Sequence, residues 1–264
     1  MAHEVFYGVN QWILLLITIG LLYGSAEVGF RVGRRSATQI PADAHSHVAT
    51  IEAALLGLLA LLLGFAFAMA VSRFDVRKQA VLEEANDLQT AYLRAKLLPA
   101  SHRDRCAQLL GDYVVSRIDY YQAGVNPELA RTALERIRGL QAQLWAEAAA
   151  AVRENPEEGA LGYFIETLNR LINNHNRRSE AMDNHVPEVI LWLLLFMACM
   201  TVAVTGYSSG LKHLRLVGLR LILSVLIAAS LFVIVDLDRP RRGLIKVSED
   251  RLVTLRDQLE IYDR

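Results

Sequence analysis

Leu58, Leu62, Phe65, Met69 and Ser72 recur at intervals of three or four residues. At about 100° per residue they fall on one stripe of a helix. Bulky apolar side chains in such a row break no bonds, but they can hold a surface dry. A ring of them around an axis makes a constriction that gates by dewetting. Glu83, Asp87, Thr90 and Arg94 prolong the stripe in polar form. The wet end of a lumen reads this way, and so does a solvated helix face. For the apolar part, periodicity leaves lumen, neighbouring helix and lipid all open.

The other faces of the same helix carry their own signals. Gly57, Ala60, Gly64 and Ala68 gather on a second side. Small residues let backbones approach where lipid supplies no hydrophobic drive, so that side is expected to pack closely on a neighbouring helix. No proline or glycine falls between Phe65 and Leu98. The helix is therefore predicted to continue unbroken past the apolar part and to end at Pro99.

That helix is one of four long apolar stretches, about residues 9–30, 51–71, 189–207 and 217–235. A hydrocarbon core of about 30 Å takes about 20 apolar residues as helix, and lipid leaves no other open-backbone option. The chain is 53% hydrophobic and 21% charged over 264 residues. Its mean hydropathy is +0.25. This is too apolar for a soluble domain and too charged for membrane throughout. The first stretch lacks a basic flank, with only His3 and Glu4 ahead of it, and reads as a retained span.

The predicted organisation is all-α: spans 1 and 2 in residues 1–74, a helical domain in 75–186, spans 3 and 4 in 187–236, and a tail helix in 237–264. Arg73, Arg77, Lys78, Arg177, Arg178, Arg239, Arg241, Arg242 and Lys246 flank the spans on one side, against Arg31, Arg34, Arg35, Lys212 and Arg215 on the other. The positive-inside rule then puts the helical domain and both termini on the cytoplasmic side.

The middle domain reads as three or four helices. Asn126-Pro127-Glu128 is a helix start, and Asn155-Pro156-Glu157 repeats it. Asn169 to His185 is unusually polar and fits solvent or subunit contact. Leu252, Leu255, Leu259 and Tyr262 are spaced for a docking tail helix.

Other candidate chemistry is thin. The chain has no P-loop, no G-x-S-x-G and no dinucleotide fingerprint. Glu83-Glu84 and Glu157-Glu158 are neighbours that point to different sides of a helix, so neither pair flanks one bond. An enzyme is not expected. His45-Ser46-His47 lacks the further ligands of a metal site, and no cofactor is expected. Cys106 and Cys199 are too far apart in sequence to read as a disulfide framework. A formal net charge of +0 offers no field for nucleic acid. Glu27 and Arg31 form an interfacial i, i+4 pair. Asp236 and Asp238 are expected at the depth of Arg73 and Arg77, as ion pairs pinning helix ends or guarding an ion path.

The runs Gly64-Phe65-Ala66-Phe67-Ala68-Met69, Ser72-Arg73-Phe74-Asp75, Glu84-Ala85-Asn86 and Ala91-Tyr92-Leu93-Arg94 resemble the bestrophin-like family of mainly bacterial membrane proteins, as does the closing Asp236-Leu237-Asp238-Arg239-Pro240…Gly243-Leu244-Ile245. By architecture the chain is more distantly similar to bestrophins, pentameric channels whose second span lines the pore. The resemblance implies a homo-oligomer in the lipid bilayer that passes small ions. It implies a neck of Leu58, Leu62, Phe65 and Met69, with Arg73 near its inner mouth and Glu83, Asp87 and Arg94 along a cytosolic lumen. Animal bestrophins carry an acidic calcium-binding run after the last span. Ser248-Glu249-Asp250-Arg251 is too poor in carboxylates for one. A non-conducting scaffold or sensor, and a stator-like proton-driven complex, are the rival readings. The second wants an acid deep in a span, which spans 2 to 4 do not supply.

Overall fold

A computed structural model describes residues 9–39, 41, 44–124, 126–157, 159–239 and 243–262. His3, Glu4, Glu158, Pro240, Arg241 and Arg242, used in the sequence reading, lie outside them. No strand occurs among the described residues. Among the described residues eight helices follow in order: α1 Gln11–Ser36, α2 Ala44–Ala95, α3 Ala100–Gln122, α4 Pro127–Glu154, α5 Gly159–Asp183, α6 Glu188–Leu211, α7 Val217–Leu237 and α8 Asp250–Tyr262. α1, α2, α6 and α7 are each long and apolar enough to cross a membrane.

The described residues divide into two compact units. One takes the chain up to Arg73, with His185–Arg239 and Gly243–Ile245; the other takes Phe74–Asn184 and the chain from Lys246 on.

In the first unit α1 and α6 run parallel and touch backbone to backbone. A Cβ added to Gly29 would overlap the carbonyl of Ala203, and one on Gly33 that of Tyr207. From the other side, Gly206 faces the backbone of Ala26 and Gly210 that of Phe30 and Arg34. Each helix thus contributes one G-x-x-x-G pair. The side of α2 expected to pack closely on a neighbouring helix finds none within the protomer: a Cβ on Gly57 or Gly64 would meet nothing within 4 Å.

The second unit has a conventional core of Leu88, Tyr92, Leu110, Val114, Ile137, Leu144, Phe164 and Leu168, into which α8 sets Leu252, Leu255 and Leu259. The expected docking tail helix is present, and Tyr121 donates its hydroxyl to the Val247 carbonyl at 2.6 Å. Asn126 caps α4 as expected, accepting from Glu128 and Leu129 N–H at 3.1 and 3.2 Å. Asn155 does not repeat this. It closes α4 by donating to the Ala151 carbonyl at 3.0 Å, and α5 begins only at Gly159. His102 of α3 is held between two carboxylates of α4, Glu147 at 2.7 Å and Glu154 at 3.0 Å. The Glu147 hydrogen bond, opposed by burial, raises its pKa above the ordinary histidine value.

Candidate permeation site

α2 presents three distinct faces in its apolar half. Leu59, Ala66 and Ala70 are buried in the protomer. About 100° round the helix lies the predicted stripe. On it Leu58 is 44% and Phe65 62% exposed, while Leu62 and Met69 are half-buried. Arg73 is half-buried near the end of the same stripe. A further 100° or so round, on the flank away from the buried face, Gly57, Gly64 and Ala68 lie open.

Along the polar half, the predicted residues are engaged by α5. Glu83 accepts from Gln79 at 3.1 Å and pairs with Arg177 at 3.4 Å. Asp87 accepts from Asn174 and lies 4.0 Å from Arg170. Arg94 donates to the Tyr163 carbonyl at 2.6 Å and to Thr167, with its guanidinium 5.5 Å from the centroid of the Tyr163 ring. So the polar stripe and the polar run of α5 form one surface. Arg177 and Arg170 remain its more exposed members.

Glu84, about 100° further round the helix than Glu83, turns into the core instead. It is 0% exposed. Its carboxylate pairs with Arg117 at 2.7 Å and also with Arg178. Arg178 reaches on to Glu249 at 2.8 Å, joining α8's approach to the core. Burial pushes Glu249 up to about 8, with Arg178 pulling against it. The Glu249 carboxyl, immediately before α8, is thus engaged by an arginine. Arg77, also buried, donates to the carbonyls of Ala181 at 3.0 Å and Asn184 at 2.9 Å, where α5 ends and cations are favoured.

Asp236 and Asp238 act on backbone. Asp236 accepts from Leu244 N–H at 2.8 Å and Ile245 N–H at 3.0 Å. Asp238 accepts from Val186 N–H at 2.5 Å, just before α6, and its carbonyl lies 3.0 Å from His185 Nδ1. Gly243 is required there, since a Cβ would stand 2.6 Å from the Asp236 carbonyl oxygen. The Asp-x-Asp…Gly signature is therefore a clasp that folds the chain back after α7. Carboxylates before a Pro/Gly turn are the signal that points to it.

Sequence reasoning missed Arg220. It lies buried one turn into α7, 3.3 Å from Glu27 of α1, with its guanidinium 4.5 Å from the Phe30 ring centroid. Glu27 also holds Arg31 at 3.0 Å. A basic residue within an apolar run was the available signal. Among the described residues no group of three or more metal-ligating side chains converges.

The chain matches the Bestrophin-like domain family over residues 20–252. No curated relative matches it. Two variants of a bacterial bestrophin homologue from Klebsiella pneumoniae share its fold. One has a TM-score of 0.69 at 14% identity, covering 95% of this chain and 99% of that one. The other has a TM-score of 0.68 at 13% identity, covering 98% and 100%. A further structure of the same homologue gives 0.66 at 15% identity, covering 94% and 96%. With its four apolar helices, its all-helical second unit and a family match over most of its length, the chain belongs to the bestrophin-like family of membrane proteins.

Proposed function

We propose that the protein is a homo-oligomeric bestrophin-type channel that conducts small ions passively, with α2 of each protomer surrounding the axis. The observation that carries this is the three-faced character of α2. One face is buried in its own protomer. The opposite flank is small and open, able to accept a neighbouring copy's helix closely. Between them stands a row of large apolar side chains that the protomer leaves uncovered. A ring of such helices satisfies both flanks and turns Leu58, Leu62, Phe65 and Met69 inward as a neck. An apolar neck of this kind gates by dewetting. The resemblance to bestrophins supports five protomers.

On this reading Arg73 lies at the inner mouth of the neck. Glu83, Asp87 and Arg94, with the α5 residues that hold them, border the lumen of the helical unit in the cytoplasm. Asp236 and Asp238 fix the chain at the membrane surface rather than meeting the ion. The excess of basic residues on that side supports cytoplasmic termini in an inner membrane.

The test is the conductance of purified protein in planar bilayers. Wild-type protein is expected to carry current, and Phe65→Ala and Leu62→Ala to enlarge it several-fold. Unchanged currents in both variants remove the neck assignment. Absence of any current, with a cytosolic protein captured instead, favours the scaffold reading.

A further inference from the structure

The helical unit contains a cleft of about 820 Å³ between α3, α4 and α5, bordered by Tyr120, Leu134, Arg138, Gln141, His175 and Glu180 among others. It lies apart from the α2 stripe. Its volume is in the range of small-molecule sites.

The polar groups of the cleft are set in one sense. His175 is 6% exposed. Its Nδ1 lies 3.3 Å from Nη1 of Arg117. A guanidinium only donates, so Nδ1 is the acceptor and the ring proton sits on Nε2. Burial, reinforced by Arg117, pushes the ring down to about 4, so it stays neutral at physiological pH. That leaves an Nε2–H donor with no partner among the described residues, on a side chain lining the cleft. Arg117 itself is already paired with Glu84 at 2.7 Å. Arg138 forms no ion pair among the described residues and supplies an available positive charge. Glu180 lines the cleft too, which disfavours a multiply charged anion. Leu134, Met182 and the Tyr120 ring add an apolar wall.

We propose that this cleft binds a small organic monocarboxylate with an apolar body. The carboxylate is held by Arg138 and by the Nε2–H of His175, and the apolar body lies against Leu134 and Tyr120. A charge-assisted pair of donors is the recognition a carboxylate calls for.

The probe is benzoate, with neutral benzamide and inorganic phosphate as controls, read by thermal unfolding of the full-length protein in detergent. Near-saturating benzoate is expected to raise Tm by about 2–4 °C. Benzamide and phosphate are expected to give less than half of that, and Arg138→Gln to abolish the benzoate shift while leaving the ligand-free Tm unchanged. His175→Gln, whose amide can still donate, is expected to keep part of it. No benzoate shift, an equal shift with benzamide, or an undiminished shift in Arg138→Gln overturns the proposal. So does a lower oligomer mass in Arg138→Gln by light scattering, which would make the cleft a contact between copies. The benzoate outcomes are read without any current, so their failure and that of the conductance test are distinguishable.

Discussion

The two units hold their helices together by opposite means. In the first, α1 and α6 meet through Gly29, Gly33, Gly206 and Gly210, backbone against backbone. In the second, Leu, Tyr and Phe side chains fill the space between helices, and a buried polar chain from Glu249 through Arg178 and Glu84 to Arg117 is set among them. The solvent explains the difference. Lipid tails are as apolar as leucine, so helices in a bilayer gain by close approach and not by hiding grease. Water makes the reverse bargain, and a core there is built by area removed from it. α2 is the element with a part in each unit, and its apolar half has the small residues of the first solution with nothing yet packed on them.

The largest effect should come from closing that glycine contact. Gly206→Leu places a side chain where the Ala26 carbonyl already stands, at an expected cost above about 3 kcal/mol. Loss of monodisperse protein on gel filtration checks it. Gly64→Leu is the contrast: it meets nothing in the protomer, so the protein should fold, and on the proposed reading only the assembled ring is lost. Equal damage by both changes breaks the comparison.

Next comes the buried polar chain. Glu84→Gln leaves Arg117 and Arg178 buried without their shared carboxylate, at an expected cost of about 3–5 kcal/mol, measured by chemical unfolding. A cost below about 1 kcal/mol would mean the pair is better hydrated than its burial says.

The smallest effect is a pH dependence of the second unit. Glu249 titrates at about 8 in the folded chain against an ordinary value of 4.5. The folded state therefore holds a proton that the unfolded chain has lost. This stability is fully present below the unfolded value and is lost as pH rises through about 8. His102, raised as well, acts in the same sense, its share being lost only as pH climbs through its own raised pKa. Glu249→Gln should flatten the part of the Tm-against-pH curve between about 4.5 and 8 and leave the His102 part. An unaltered curve sharpens the comparison by placing the sensitivity elsewhere.

Much of the architecture was legible because each part has a local cause. Four apolar stretches, the Asn126 cap and the leucine spacing of α8 each report on a single element, and each is found; the unbroken helix past Phe65 is found too, but it stops at Ala95, ahead of the expected end at Pro99. The α2 stripe was legible as a stripe, since period alone puts Leu58, Leu62, Phe65 and Met69 together. What period could not supply was partnership. Gly57 and Gly29 look alike in a sequence, yet only Gly29 meets another backbone in the protomer. Glu83 and Glu84 look alike too, and their fates diverge because Arg117 and Arg178, far along the chain, arrive on one side only. Asn155 resembles Asn126, but the preceding helix claims its backbone first. Arg220 was hidden by its apolar neighbours, and its role depends on Glu27 from another span.

Cysteine modification along α2 tests the permeation account most directly, in a Cys199→Ala background, with current through a planar bilayer as the readout. Leu58→Cys, Leu62→Cys and Phe65→Cys should each lose most of their current to a charged, membrane-impermeant thiol reagent, while Phe67→Cys, on the opposite face, should keep it. Equal sensitivity at Phe67→Cys, or no reaction at the three stripe positions in a conducting protein, would contradict an α2-lined path.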